Sequence, residues 1–129
     1  MRRLALVLVS AFMLSLALCG CGNTGNWVVF VKSGGLANAK STVVVSHDGV
    51  VTVTKPDGSS SFQLSSDQHT RLESALASAK SVQSVPSSSA RDSYHYELTV
   101  DGVARSWDDS VEPGQLTAVR EFFETETGI

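Results

Sequence analysis

Short turns between apolar segments constrain the fold of this chain more than any other feature. His47-Asp48-Gly49, Pro56-Asp57-Gly58 and Asp101-Gly102 each separate two runs rich in β-branched or aromatic residues. Glycine supplies the positive φ that tight hairpin turns require, and aspartate favours such turns. Parallel strands need long crossover connections, so strands joined by such short turns must be antiparallel. The sequence therefore predicts a sheet built from hairpins.

Several segments have the composition of β-strands. The clearest is Tyr94–Val100, where Tyr94, Tyr96, Leu98 and Val100 alternate with polar residues, as in a strand with one buried face. Residues 27–31 are apolar at every position, which is typical of a central strand. Further predicted strands lie at residues 41–46, 50–55, 60–64 and 103–107.

Two amphipathic helices complete the predicted fold. Ser65 and Gln68 form a capping-box pattern before the first helix, and Pro113 opens the second. The apolar positions at helical spacing are Leu72, Ala75, Leu76 and Ala79 in the first helix, and Leu116, Val119, Phe122 and Phe123 in the second. Because each helix has one apolar stripe, both should pack on one face of the sheet. We predict an α+β open-faced sandwich with an antiparallel sheet of five to six strands.

The first 21 residues have the pattern of an export leader. Arg2 and Arg3 give a basic start, and the apolar run over residues 4–18 is too short to span a membrane. The ending Leu18-Cys19-Gly20-Cys21 resembles the bacterial lipobox, in which a cysteine after a small residue carries diacylglycerol and becomes the mature N-terminus. Cys21 fits better than Cys19, because glycine precedes Cys21 and bulky leucine precedes Cys19. The alternative is an ordinary secreted protein with Cys21 left free.

The leader sets the expected boundaries and location. We predict a signal peptide at 1–20, a lipidated tether at 21–26, one domain at 27–125 and a C-terminal tail at 126–129. The protein would be anchored in a bacterial cell envelope, on the outer face of the cell membrane or the periplasmic face of an outer membrane. With Cys19 removed and Cys21 lipidated, no thiol remains for a disulfide or a metal site.

Charge limits the partners of the mature chain. The net charge is −3 over 129 residues, and it falls by two to −5 once Arg2 and Arg3 leave with the leader. An acidic surface without a basic cluster argues against nucleic acid and against electrostatic binding to anionic lipid. We expect a monomer attached to the membrane only through its lipid.

No pattern in the sequence indicates catalysis or metal binding. His47, His69 and His95 lack the spacing of metal ligands, and no serine lies in a Gly-x-Ser-x-Gly elbow. An acidic patch at Asp108-Asp109 and Glu112 has two interpretations: a hard-cation site, or charges that stabilise a helix N-terminus, which is the favoured one. Trp27 and Trp107 are expected in the core or on the sheet rather than as exposed sugar-binding platforms. We predict no catalytic residue, no metal and no cofactor.

Two motifs of the chain are similar to motifs of a known family. Lys32-Ser33-Gly34-Gly35-Leu36-Ala37, at the end of the first strand, resembles the aromatic-x-basic-Ser-Gly-Gly-apolar-Ala start of the emfourin-like family of protealysin inhibitors. The strand from Asp92 to Val100 is similar to its Asp-x-aromatic-x-Tyr-x-Leu-x-Val segment, and the closing helix also fits. The similarity covers residues 27–124. Asn38 replaces a glycine that follows the alanine in relatives, and asparagine tolerates left-handed geometry.

The resemblance implies a small protein that inhibits thermolysin-like zinc metallopeptidases, either secreted or in the envelope, by occluding the protease cleft. By position in the motif, the expected contact residues are Lys32, Ser33, Gly34 and Gly35. Such an inhibitor needs no catalytic residues of its own. The alternative is a non-catalytic envelope lipoprotein that uses the same fold to bind a different protein or ligand.

Overall fold

A computed structural model describes residues 25–86 and 92–129. The leader, Cys21 and the tether up to residue 24 lie outside the described residues. The elements are β1 (Asn26–Gly34), β2 (Ala39–Ser46), β3 (Val50–Lys55), β4 (Gly58–Gln63), α1 (Ser66–Ala79), β5 (Tyr94–Val100), β6 (Val103–Asp108), a short 3-10 helix (Asp109–Val111) and α2 (Gly114–Thr127). Neither α1 nor α2 has the length and apolarity that crossing a membrane requires.

The six strands form one open antiparallel sheet in the order β4-β3-β2-β1-β5-β6. This confirms the predicted α+β class, and β1 is central, as its apolar sequence indicated. A bulge interrupts β1 near its start, because Asn26 pairs with Ser46 while Val28 already pairs with Val45. Trp27 is the extra residue, and its indole stacks on the imidazole of His69 in α1 with ring centroids 5.1 Å apart.

An aromatic cluster joins the centre of the sheet to α2. Phe30 of β1 stacks on Phe123 of α2 at 4.9 Å between centroids and on Tyr96 of β5 at 5.9 Å. Trp107 is fully buried and lies 5.4 Å from Tyr96, as expected for a core residue. Among the described residues, every buried apolar side chain lies between residues 28 and 123, so we expect residues 25–129 to fold around this core as a domain.

The helix ends agree with the capping signals. The Ser65 hydroxyl accepts a hydrogen bond from the Gln68 amide at 3.1 Å, and the Gln68 side chain accepts one from the Ser65 amide at 2.8 Å. Pro113 takes the N-cap position of α2 rather than its first turn. Helix α2 ends at Thr127, two residues beyond position 125, where Gly128 caps it in a left-handed conformation, and Ile129 packs against the core. The last four residues are therefore part of the domain.

One buried cation ties α1 to the edge of the sheet. Arg105 of β6 donates from Nε to the carbonyl of Val82 at 2.8 Å and from Nη2 to the carbonyl of Lys80 at 3.0 Å. Arg105 Nη1 also donates to the carbonyl of Val103 in the same strand, at 3.2 Å. Helix C-terminal carbonyls carry partial negative charge, so the guanidinium is stabilised where α1 ends.

Candidate functional site

The direction of β1 defines two ends of the sheet. β1 begins at Asn26, beside the chain that precedes the domain, and ends at Gly34, where residues 35–38 turn into β2. Gly34 pairs with Tyr94, and His95 pairs with Asp108. The turn at 35–38, the start of β5 and the end of β6 therefore lie together. We call this the distal end, and the opposite end, where β1 starts, the proximal end.

Large apolar side chains are exposed at the distal end. Leu36, in the turn, is 91% exposed, and Tyr94 is 41% exposed. Val111, in the 3-10 helix that follows β6, is also exposed. Single exposed apolar residues are common on protein surfaces, but several at one end, one of them almost wholly in solvent, indicate a contact surface.

Backbone hydrogen bonds hold the distal turn. The Gly35 amide donates to the carbonyl of Ser93 at 3.3 Å, and the Asn38 amide donates to the carbonyl of Gly35 at 3.1 Å. Asn38 has φ of 46°, so the asparagine takes the left-handed conformation, as the sequence indicated it could. The turn therefore presents Leu36 on a hairpin whose backbone is fixed at both sides.

The two glycines of the motif are required by close packing. A Cβ atom on Gly34, which has φ of 94°, would lie 2.7 Å from the carbonyl oxygen of Ser93. A Cβ atom on Gly35, with φ of 71°, would lie 2.8 Å from the ring of Tyr94. Both glycines thus determine the shape of the turn, and any effect of replacing them on partner binding would be mixed with an effect on folding.

We predict that Gly34→Ala destabilises the domain by at least about 1 kcal/mol more than Gly102→Ala does. Both positions have positive φ, but a Cβ on Gly102 would meet no heavy atom within 4 Å, whereas Gly34 faces rigid backbone. Gly102→Ala is therefore destabilised by backbone strain alone. The difference between the two losses of unfolding free energy measures the clash of the Gly34 Cβ with Ser93. Urea unfolding of both variants measures it; equal losses would show that the β1–β5 backbone moves apart at little cost.

Lys32, the first predicted contact residue, is engaged within the domain. Its Nζ donates to Glu124 Oε1 at 3.1 Å and to the carbonyl oxygen of Ile129 at 3.3 Å, and it lies 4.5 Å from the centroid of the Tyr94 ring. These contacts hold β1, β5 and α2 together and fix the orientation of Tyr94. The Lys32 side chain therefore packs within the domain, against the Tyr94 ring, and does not project into solvent from the distal surface.

Ser33 lies on the other face of β1, in a row with His95 and Asp108. His95 Nδ1 and Asp108 Oδ1 are 2.8 Å apart, and Ser33 is the cross-strand neighbour of His95. A nucleophilic serine must be hydrogen-bonded to its base. Within the described part of the chain, no hydrogen bond joins Ser33 to His95, so the row lacks the geometry of an activated serine.

The predicted contact residues all lie at the distal end, directly before the most exposed large apolar side chain of the turn. The Lys32 side chain and the Cβ positions of Gly34 and Gly35 face other parts of the same domain. Leu36, the next residue, carries the large apolar side chain that is most exposed among the described residues. The available signal was an apolar side chain directly after two glycines, in a turn where polar residues are usual.

Two carboxylates of the acidic patch at the end of β6, Asp108 and Glu112, accept hydrogen bonds from other residues of the domain. Glu112 accepts hydrogen bonds from Arg120 Nε at 2.6 Å, Thr117 Oγ1 at 3.0 Å and Trp107 Nε1 at 3.2 Å. Asp108 is bonded to His95. Among residues 25–86 and 92–129, no group of three or more histidine, cysteine or carboxylate side chains could hold a metal ion. Glu112 thus forms a structural ion pair with Arg120, and Asp108 is hydrogen-bonded to His95 across the β5–β6 pair.

The environment of Glu112 makes stability depend on pH. Burial raises its pKa, but the hydrogen bonds from Arg120, Trp107 and Thr117 favour the carboxylate and hold the pKa below the ordinary value of 4.5. The unfolded chain then binds protons before the folded chain does, so Glu112 stabilises the fold above that ordinary value, and this contribution is lost as pH falls through its folded pKa.

We therefore expect the free energy of unfolding to fall as pH drops below about 4.5, and to fall less steeply in Glu112→Gln. Some dependence should remain in the variant, because hydrogen bonds from Gln68 and Arg71 also lower the pKa of Glu126. Glu121→Gln, on the exposed side of α2, is the control and should follow the wild-type curve. Urea titrations at a series of pH values test this; parallel curves for wild type and Glu112→Gln would contradict it.

The distal end thus combines an exposed apolar side chain on a fixed turn with a tyrosine that Lys32 contacts beside it. No family model matches the chain. No curated protein matches it either.

Proposed function

We propose that this chain is a membrane-anchored lipoprotein that inhibits thermolysin-like zinc metallopeptidases by occluding the protease cleft with its β1–β2 turn. The observation that carries the proposal is the near-complete exposure of Leu36 on a turn fixed by backbone hydrogen bonds. The motif that contains this turn is the one that resembles the emfourin-like inhibitors.

The turn has the physical properties of an inhibitory loop. A hairpin is narrow enough to enter a cleft, and a loop already held in its bound shape loses little conformational entropy on binding. Burying the Leu36 side chain in an apolar subsite would contribute about 1.5–3 kcal/mol. Tyr94 and Val111 extend the contact over the rest of the distal end. Aromatic anchors of this kind often carry much of the energy of an interface.

The predicted lipid anchor would orient the distal end relative to the membrane. Cys21 precedes Gly25 by four residues, and β1 then runs for nine residues, about 30 Å, to the distal turn. A lipid on Cys21 would hold the proximal end near the membrane, and the distal turn would point away from it. The target on this proposal is a peptidase outside the cytoplasm, secreted or in the envelope.

Inhibition assays decide between this function and the alternative, a non-catalytic lipoprotein that presents the same surface to another protein. The domain at 25–129 is added to several thermolysin-like peptidases cleaving a peptide substrate, with a serine peptidase as the control. We expect competitive inhibition of the zinc enzymes only. No inhibition of any zinc enzyme at micromolar concentrations would contradict the proposal and favour the alternative.

A further inference from the structure

A recess of about 640 Å³ lies at the proximal end, on the opposite side of the molecule from the distal turn. Its volume is within the range of about 300–1,000 Å³ typical of small-ligand pockets. The start of β1, the β2–β3 and β5–β6 turns and one face of α1 form its walls. The lining side chains are Trp27, His47, His69, Glu73, Lys80 and Asp101, with Leu76 and Ala77 beneath them.

Contacts between its walls show that the recess is formed in the free protein. The Asp101 amide donates to the carbonyl of Trp27 at 3.1 Å, and the His47 amide donates to the carbonyl of Gly25 at 3.3 Å. The stacking of Trp27 on His69 fixes the indole against α1. Asp101 also takes a left-handed conformation, with φ of 49°, which is uncommon for a residue other than glycine. These contacts fix the four wall segments relative to one another without any ligand.

The charges of the recess limit what it can hold. Lys80 Nζ lies 3.7 Å from Asp101 Oδ2, and His69 Nδ1 lies 3.6 Å from Glu73 Oε1. The recess thus carries two carboxylates and one ammonium group, and this excess of negative charge disfavours phosphates and other anions. Carboxylates accept hydrogen bonds, ammonium donates them, and imidazole does both. The recess therefore offers both kinds of hydrogen-bond group around an indole wall.

We propose that this recess binds a sugar ring. Hydroxyl groups donate and accept hydrogen bonds, so a neutral sugar can form hydrogen bonds with the carboxylates, the ammonium and the imidazoles at the same time. Its C–H face is apolar and can pack against the indole of Trp27. Trp107 is fully buried, whereas Trp27 is half-buried and lines the recess among polar side chains, so of the two tryptophans Trp27 is the one that a ligand in the recess can reach. This site is independent of the distal surface and of the proposed inhibition.

Two sources could supply such a ring next to the proximal end: a glycan of the envelope, or the headgroup of a glycolipid in the membrane that the anchor would enter. Both present neutral sugar rings, and the same side chains would recognise them. The experiment therefore has one arm for each source.

Binding is measured by amide and indole NMR shifts of the ¹⁵N-labelled domain at 25–129. Chitotetraose and maltotetraose are added up to about 10 mM, which detects millimolar dissociation constants. Vesicles of phosphatidylglycerol, with and without a glucosyl diacylglycerol, form the second arm in a flotation assay. We expect shifts at Trp27, His47, His69 and Asp101 in the first arm, or sugar-dependent flotation in the second.

Two variants test the assigned side chains. Glu73→Gln, at a solvent-exposed helix position, should weaken binding about tenfold, the loss of one hydrogen bond to a charged group. Asp101→Gly removes a second carboxylate while relieving the left-handed backbone, so weaker binding by this variant cannot be assigned to unfolding. Glu121→Gln on α2 is the matched control and should bind as wild type does. Absence of binding in both arms, shifts away from the recess, or unchanged affinity in Glu73→Gln and Asp101→Gly would overturn the proposal.

Discussion

Replacing Leu36 with aspartate should abolish peptidase inhibition and leave the stability of the domain unchanged. The leucine is 91% exposed, so the folded domain loses no packing when it is removed. In a complex, the substitution removes about 1.5–3 kcal/mol of apolar burial and adds the cost of dehydrating a carboxylate. We expect the inhibition constant to rise by at least about 100-fold, because each 1.4 kcal/mol is a factor of ten.

Val103→Asp is the matched control for this experiment. Val103 is another exposed apolar residue, but it lies at the proximal end, after the β5–β6 turn. It should inhibit as wild type does, and both variants should unfold at the wild-type urea concentration. Leu36→Ala should fall between wild type and Leu36→Asp. Full potency of Leu36→Asp would remove the distal turn from the mechanism, even if inhibition itself is confirmed.

The fold was predictable because local signals and connection lengths agreed with each other. The Asp-Gly turns made antiparallel pairing necessary, and the alternation in Tyr94–Val100 marked a strand with one buried face. The capping box at Ser65 placed the start of α1. Each of these signals acts within a few residues, which is why it can be read along the chain.

The candidate site was less predictable because its geometry depends on distant partners. Lys32 is a basic residue in a motif, and it looked available for a partner. Its ammonium is held by Glu124, 92 residues later in the chain, and by the Tyr94 ring. The direction of Leu36 depends on consecutive positive φ values at Gly34 and Gly35, which the composition permits but does not specify.

The role of Arg105 is the one that sequence patterns predict least well. It occupies an inward position of β6 between Val103 and Trp107, where alternation calls for an apolar side chain. Helix α1 has no basic residue in its last turn, and Arg105 supplies the missing positive charge from another element. The segment after α1 also covers the β6 edge, because the Val85 amide donates to the carbonyl of Ser106 at 2.9 Å.

We therefore expect Arg105→Met to be strongly destabilising, by about 3 kcal/mol, although methionine can fill much of the same volume. The substitution leaves the carbonyls of Lys80, Val82 and Val103 without the guanidinium, and an unsatisfied buried polar group costs about 1–3 kcal/mol. For a domain of this size the melting temperature should fall by roughly 12–24 °C. Calorimetry and urea unfolding measure the two quantities.

Two further variants separate charge from geometry. Arg71→Met removes an exposed guanidinium that pairs with Glu126 at 2.8 Å, and it should cost less than about 1 kcal/mol. Arg105→Lys keeps the charge but cannot reach three carbonyls in different directions, so it should recover only part of the loss. If Arg105→Met were no less stable than Arg71→Met, the carbonyls at the end of α1 would be hydrogen-bonded to water in the variant. The packing of the segment after α1 on the β6 edge would then not depend on Arg105. If Arg105→Lys restored full stability, the positive charge at the helix end would be sufficient, and the three-way hydrogen bonding would add nothing.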